Sequence, residues 1–569
     1  MEPYTIQSEA ARILHTILLK DPRLALPSDL PTTAERTSFD PSSIQTPFLP
    51  APLKCSESSA ALWALLATLG NHITQRRWGL TQRVTVSSDV ATLFLTSFLW
   101  LSVGGKRVSD PGLMARYNAY DTTAQAGAWR RLVTNVYATR DGRYFHLHGG
   151  LDSSPCLQML GLPTHDDAAA ADEMECIRRL DDRVRQFDAH WLDVEANEHW
   201  RQAGGICLSP EEYRASAHGR AVADEGLYSI EEFDLDGDGR LQPVPWPEEK
   251  DGAKATNTTM ETFRPLEGIK LVDLTRAIAG PTIAKLAVLF GATVVRVSNT
   301  SMPDLGIILF ESNTGKRDTH ADLKTLEGKR ALEALIADAD VVLDGYRPGA
   351  LERLGFGPAW VREVARRRGK GIVYARENCY GWKGEWAHRS GWQQISDAVT
   401  GVAWLFGRMW ELEDDEPLMP FLPNSDFQTG IVGCVAVMNA LDKRATKGGS
   451  YLVSTSLNQL NSFLIGLGVQ SPEVQRSLRE RWPDFKSRYY DDLHRQMRKL
   501  IASLPNVAPG LFQPRYFMTM KAELGVPNED MTFVGPAATY ETTKLGYESG
   551  SCLRGAHKPE WPEKAGNSG

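Results

Sequence analysis

Asp426 is the carboxylate in this chain best placed to do chemistry. It stands in the run Pro420 to Ser456, where Ile431, Val432, Val435, Met438 and Leu441 recur at helical spacing behind Asn424, Ser425 and Asp426, and where Lys447, Gly448 and Gly449 close the run. A helix is therefore expected to begin at or beside Asp426. A carboxylate at a helix N-terminus is held ionised and aimed by backbone N–H groups, which suits a carboxylate nucleophile. The same residues read as readily as an ordinary N-cap. A second carboxylate repeats the arrangement: at a constant offset of 369 residues Val84 pairs with Val453, Phe94 with Phe463, and Glu57 with Asp426. Glu57 carries an extra methylene and follows a Pro- and Ser-rich stretch, so Asp426 and not Glu57 is the expected nucleophile. The offset predicts helix, strand, helix in both places, a degenerate internal repeat.

The elements that must position these groups belong to a large soluble-type chain. Its 569 residues with 42% hydrophobic content suffice for several ordinary domains. A net charge of -8 and a pI near 5.9 argue against wholesale nucleic-acid binding and leave room for local basic patches that hold a phosphate-bearing small molecule. Seven cysteines, odd in number and without a C-x-x-C pair, indicate neither a zinc site nor a disulfide framework, and so a reducing compartment. The first residues lack a basic-then-apolar signal, no apolar run is long enough to cross a bilayer, and the final Gly-Asn-Ser-Gly is no peroxisomal address. The expectation is a cytoplasmic protein without membrane or nucleic-acid partners.

Along the chain, residues 1–52 read as an N-terminal arm with one short amphipathic piece, Ala10 to Leu19. Residues 53–250 read as a partial half with a small α+β domain, built on a hairpin with Asp141-Gly142 at its turn and helical stretches at Asp172 to Phe187 and Trp191 to Gly204. Asp234-Leu-Asp-Gly-Asp-Gly-Arg resembles the opening of a calcium loop, but Pro245 occupies the position of the bidentate Glu, and a polar turn is the expectation, with no metal. A linker at 251–263 follows. From 264 to 470 strands and helices alternate (strands at Ile269 to Leu274, Thr293 to Val297, Val341 to Leu343 and Gly371 to Ala375), which predicts an α/β fold with a doubly wound parallel sheet. No G-x-G-x-x-G or G-x-x-x-x-G-K-[ST] follows these strands, which weakens nicotinamide and NTPase readings. Residues 471–569 are expected to pack back on the core.

The stretch Gly268-Ile-Lys-Leu-Val-Asp273-Leu-Thr275-Arg276-Ala-Ile-Ala-Gly280-Pro281, then Leu289-Phe-Gly291 to Arg296, Asn313-Thr-Gly-Lys316-Arg317, Asp322 to Gly328, Asp340 to Gly349 and the Asp426 run resemble, in order and spacing, the class III CoA-transferases. The stretches Arg140-Asp-Gly-Arg-Tyr-Phe-His-Leu-His-Gly149 and Ala203-Gly-Gly-Ile-Cys-Leu-Ser-Pro-Glu-Glu-Tyr213 resemble that family's second domain, here placed first, an order similar to longer fungal members. The resemblance implies transfer of CoA between an acyl-CoA and a small carboxylic acid through an aspartyl anhydride on Asp426, with CoA as substrate, no permanently bound cofactor, and a homodimer. It implies a CoA pocket made by Arg276, Lys316, Arg317, Arg347 and Arg353 with Tyr346 and Leu354, and by the Ala277, Ile278 and Ala279 turn. The chain departs from the family pattern at Ser298, Asn299, Gly345 and Asn378-Cys379-Tyr380-Gly381. Two other readings stay open: a homologue that has lost the chemistry, and a 2-methylacyl-CoA racemase, whose histidine base would fall in Ser390-Gly391-Trp392-Gln393.

Overall fold

In the computed structural model the described residues are 4–120, 127–166, 172–233, 240–247, 263–412, 416–485 and 487–562. The calcium-loop-like stretch from Asp234 and the linker lie almost wholly outside them. The amino-terminal segment is not an arm. Helix α1 (Ile6–Arg12) starts at a capping box on Thr5, and Ile6, Ala10, Ile13, Leu14, Leu18, Leu24 and Leu30 are all buried in the main core. Apolar residues that read as one amphipathic piece are distributed over several short turns, each docking a leucine or isoleucine, so the segment is held by burial along its length.

Strand β1 (Thr37–Phe39) pairs in parallel with β2 (Val84–Val86), whose other edge is taken antiparallel by β17 (Ala538–Tyr540) near the end of the chain. A second sheet joins β3 (Ser102–Val103) and β4 (Lys106–Arg107) to β15 (Phe517–Ala522) and β16 (Glu529–Val534). The carboxyl-terminal segment thus completes sheets that residues 37–107 begin. The expected hairpin is β5 (Asn135–Ala138) and β6 (Tyr144–His148), with Gly142 at φ 74° where a side chain would strain the turn. The stretch expected as helix from Trp191 to Gly204 instead ends early. Its last residues, in β7 (Ala203–Ile206), pair antiparallel with β6, and Gly204 accepts that place because a Cβ there would stand 2.8 Å from Phe145.

The central sheet is the doubly wound one. Its strands are β8 (Tyr228–Glu232), β9 (Lys270–Leu274), β10 (Thr293–Ser298), β11 (Arg317–His320), β12 (Val341–Asp344), β13 (Val373–Asn378) and β14 (Tyr451–Ser456), in the order β11-β10-β9-β12-β13-β14-β8. All pair in parallel except β8, which closes one edge antiparallel. Val341, Val342 and Leu343 are fully buried in succession, the mark of a strand covered on both faces. On one face lie helix α4 (Ala279–Leu289) and helix α6 (Asn424–Lys447), and they cross closely: Cβ atoms on Gly430 and Gly433 would stand 2.4 Å and 2.3 Å from Thr282 and Ile283.

Helix α2 (Cys55–Trp78) packs against α6 and has the same length of 24 residues. Each follows a residue in the same backbone conformation, φ -78° with ψ 60° at Lys54 and φ -78° with ψ 58° at Pro423. Each is followed by a strand, β2 or β14, and by a second helix, α3 (Ser88–Phe94) or α7 (Leu457–Gly466). Helix, strand, helix therefore occurs at both ends of the 369-residue offset.

Candidate active site

Helix α6 opens at Asn424 without a side-chain cap, so Asp426 is its third residue and not its N-cap. Asp426 faces a cavity of about 540 Å³. Four segments build its walls: the turn Arg276 to Ala279 between β9 and α4, the loop Gly345 to Pro348 after β12, Glu377 to Cys379 at the end of β13, and Arg389 to Trp392 ahead of helix α5 (Gln393–Thr400). Gly150 to Asp152, Pro155 and Gln202 of the hairpin domain cover it. The first three segments leave the carboxyl ends of parallel strands, where an open α/β sheet leaves a crevice.

Of the basic residues expected at a CoA pocket, two line this cavity. Arg276 is largely buried and donates to the Pro303 carbonyl, and Arg347 donates to the Arg201 carbonyl at 3.1 Å. Neither forms an ion pair with a carboxylate among the described residues, and loss of water pushes both guanidinium pKa values down. Ala277, Ile278, Ala279 and Tyr346 line the cavity as expected. Ala277 sits at φ 65°, a left-handed conformation that costs an alanine about 1 kcal/mol or more, and such strain is commonest where backbone N–H groups are turned toward a ligand.

Lys316, Arg317, Arg353 and Leu354 do not line the cavity. Lys316 is fully buried in an ion pair with Asp273 at 2.8 Å and donates to the Pro281 carbonyl at 2.9 Å, so it fastens α4 to the sheet. Arg317 opens the edge strand β11. Arg353 is exposed and its guanidinium lies 3.0 Å from where a Cβ on Gly349 would stand, next to the Pro348 wall; Leu354 packs against the apolar cluster behind the sheet. Among the departures, Gly345, Asn378 and Cys379 line the cavity, whereas Ser298 donates to Asp318 at 2.7 Å and Asn299 accepts from the Ser301 amide at 3.0 Å, both away from it.

The sequence pattern of CoA-transferase family III matches residues 266–476, the segment that carries Arg276, Arg347 and Asp426. An acetyl-coenzyme A transferase, nodX, of Hypoxylon pulicicidum is 36% identical over 98% of this chain and 94% of its own length. An acyl-CoA transferase of Gibberella moniliformis is 32% identical over 73% of this chain and 71% of its own. The chain belongs to CoA-transferase family III. A formyl-CoA:oxalate CoA-transferase of Escherichia coli O6:H1 is 25% identical over 52% of this chain and 69% of its own. Among the described residues of this family III protein, no helix is long and apolar enough to cross a membrane, and no cluster of His, Cys, Asp or Glu could hold a metal ion.

The electrostatics of the site reverse one expectation. Burial pushes the Asp426 carboxyl well above the ordinary range, and the neighbouring Glu377 and Asp397 push it further. The helix N-terminus alone therefore does not hold Asp426 ionised. Asp397, on α5, is raised to about 7 by burial although Asn461 donates to it at 2.8 Å and Ser425 and Gln393 donate as well. Glu377 is raised to about 7 by burial and then by Asp344. Sequence reasoning missed Glu377. The available signal was an acidic residue at the carboxyl end of a parallel strand that opens with Val373, Tyr374 and Ala375, where buried charge is costly unless a ligand uses it. Trp392 lines the cavity where the racemase reading needs a histidine, and it stacks on His148 with ring centroids 4.9 Å apart and planes 4° apart.

Glu57 differs from Asp426 in its surroundings. It accepts from Tyr4 Oη at 2.8 Å and from Gln470 Nε2 at 2.8 Å, is 1% exposed, and lines neither this cavity nor the neighbouring one of about 470 Å³ around Trp386.

Proposed function

We propose that this family III protein is an acyl-CoA:carboxylate CoA-transferase that works through Asp426. The observation that carries the reading is the meeting in one cavity of the Asp426 carboxylate, the Arg276 to Ala279 turn and two guanidinium groups without carboxylate partners. An Asp426 oxygen bonds to the thioester carbonyl carbon, the C–S bond breaks, and the thiolate leaves with the electron pair, giving a mixed anhydride. The thiolate then attacks the Asp426 carbonyl carbon, the first acid departs, and CoA is held as an aspartyl thioester. The acceptor carboxylate runs the two steps in reverse. Arg276 and Arg347 pair with CoA phosphates, the backbone N–H groups of Ala277 to Ala279 complete the hold, and Tyr346 forms part of the wall.

The relatives named for acetyl-CoA, acyl-CoA and formyl-CoA:oxalate transfer support a CoA thioester as donor and a small carboxylic acid as acceptor. Trp392, in place of a histidine base, favours transfer over racemisation. In the same reading the α2, β2, α3 unit is a partial second copy whose site is closed, with Glu57 satisfied by Tyr4 and Gln470, so a single nucleophile serves each chain. Cytoplasmic residence accords with seven free and buried cysteines, and assembly as a homodimer belongs to the proposal.

Hydroxylamine trapping after incubation with acyl-CoA tests it. A hydroxamate is expected on the peptide containing Asn424 to Gly430; Asp426→Asn abolishes transfer while Glu57→Gln retains it. Full turnover by Asp426→Asn, with deamidation excluded by mass spectrometry, would overturn the mechanism.

A further inference from the structure

Asp426 and Glu377 line the cavity and Asp397 lies near Asp426 outside it, and in a site largely withdrawn from water the three carboxyl groups cannot all be ionised together. Their bonding separates them. Asp397 is tied by Asn461, Ser425 and Gln393 and does not line the cavity. Asp426 and Glu377 both line it, and neither carboxylate forms a hydrogen bond or ion pair with the described residues. Glu377 lies in register with Thr455 of β14, and the alternation of a strand puts it on the same face as Val373 and Ala375, which belong to the core that contains α6. Its carboxyl is therefore aimed at the space in front of Asp426, with nothing in the fold to occupy it.

Resting on the transferase reading, we propose that Glu377 is the proton carrier of this site: it takes the Asp426 proton as the thioester enters, so that Asp426 attacks as the carboxylate, and the Glu377 O–H so formed donates a hydrogen bond to the thiolate or carboxylate beside it. The charged groups that face it fit this division. Asp344, from the end of β12, is already committed to the Tyr374 hydroxyl at 2.9 Å and the Tyr346 amide at 2.9 Å. Arg389 is paired with Asp193 and Glu198, and Asp152 of the covering domain with Arg130. Arg276 and Arg347 remain for phosphates, which leaves the acceptor acid, among the described residues, without a free cation in this part of the cavity. A neutral carboxylic acid supplies the missing donor without adding charge.

The proton is not consumed. When the Asp426 oxygen bonds to the acyl carbon and the C–S bond breaks, the sulfur takes the electron pair and the Glu377 O–H donates to it. When the thiolate attacks the anhydride the hydrogen bond passes to the departing carboxylate, and the acceptor acid meets the same O–H in the reverse steps. Loss of the one proton that Asp426 and Glu377 share puts a second negative charge before the acceptor, so transfer must fall on the alkaline side, above the value of about 7 that burial and Asp344 give Glu377.

The experiment is the pH profile of kcat/KM for the acceptor acid in the wild type, Glu377→Gln and Glu377→Ala, with acetyl-CoA as donor probe. Wild type is expected to lose at least tenfold above the Glu377 titration. Glu377→Gln, which keeps an uncharged donor, stays within about fivefold at pH 7 and loses the alkaline limb, and Glu377→Ala loses about 10- to 150-fold at pH 7, the range of one hydrogen bond to a charged group. An unchanged alkaline limb in Glu377→Gln, or Glu377→Ala equal to Glu377→Gln, overturns the proposal. If the variants fail to fold, infrared titration of the wild type decides: a protonated carboxyl signal that disappears near pH 7 and shifts on acceptor binding supports it, and its absence overturns it. Hydroxamate formation on Asp426 separates the two readings, because its presence with flat variant profiles removes the role of Glu377 alone, whereas its absence in wild type removes the transferase reading itself.

Discussion

Replacing Lys316 by Met tests whether the lysine holds the fold or the substrate. Neither partner of the Lys316–Asp273 pair is exposed, and Asp273 Oδ1 also accepts from the Thr275 amide at 3.0 Å and the Thr275 hydroxyl at 2.5 Å. The pair thus binds β9, the first turn of α4 and the start of the cavity turn into one unit. Methionine keeps the length of the side chain and leaves the Asp273 charge with the Thr275 donors and with Arg296, which is itself paired with Asp304 and Asp318. Removing one partner of a buried pair costs about 3–5 kcal/mol, several times the worth of an exposed pair. Adding Asp273→Asn removes that charge and keeps an oxygen for Thr275, so the double variant should recover about half of the loss or more. Urea unfolding of the four proteins by tryptophan fluorescence measures the cycle, and calorimetric titration with CoA measures binding by the folded fraction. CoA affinity is expected to stay within about threefold, on the ground that a residue outside the cavity makes no contact worth about 1 kcal/mol. A Lys316→Met protein as stable as wild type but at least tenfold weaker for CoA would refute this reasoning.

Arg347→Ala should weaken CoA by about 10- to 150-fold, because a charge-assisted hydrogen bond is worth about 1.5–3 kcal/mol, and the loss should shrink as salt rises; calorimetry at two ionic strengths checks both. His148, buried behind Trp392, is pushed down to about 3 by loss of water. Below the unfolded value of about 6.5 the unfolded chain takes up a proton that folded His148 refuses, so stability falls as pH drops from about 6.5 to about 3, at up to about 1.4 kcal/mol per pH unit and roughly 5 kcal/mol in all. His148→Gln should flatten that slope by about one proton, measured as urea midpoints across the window; an unchanged slope would place the proton uptake elsewhere.

What the sequence by itself determined was local. The apolar period behind Asp426 is set by residues within a few turns of one another, and so is the strand and helix alternation from 264 onward; both appear in the structure as α6 and the doubly wound sheet. The 369-residue offset was legible for the same reason, since two helices of 24 residues followed by strand and helix leave matching patterns. Tertiary structure decided which charges are used. Lys316 and Arg347 lie in motifs of equal appearance, yet one is sealed against Asp273 and the other opens on the cavity, a difference fixed by strand order and not by neighbours in the chain. The same holds for the first fifty residues, whose leucines gain a core only when the segment docks on α2. Glu377 is the sharpest case. Its neighbours in sequence give it no role, and it becomes chemically distinct because parallel pairing brings the end of β13 beside the first turn of a helix about fifty residues further on, in a space where burial makes two carboxyl groups compete for one charge.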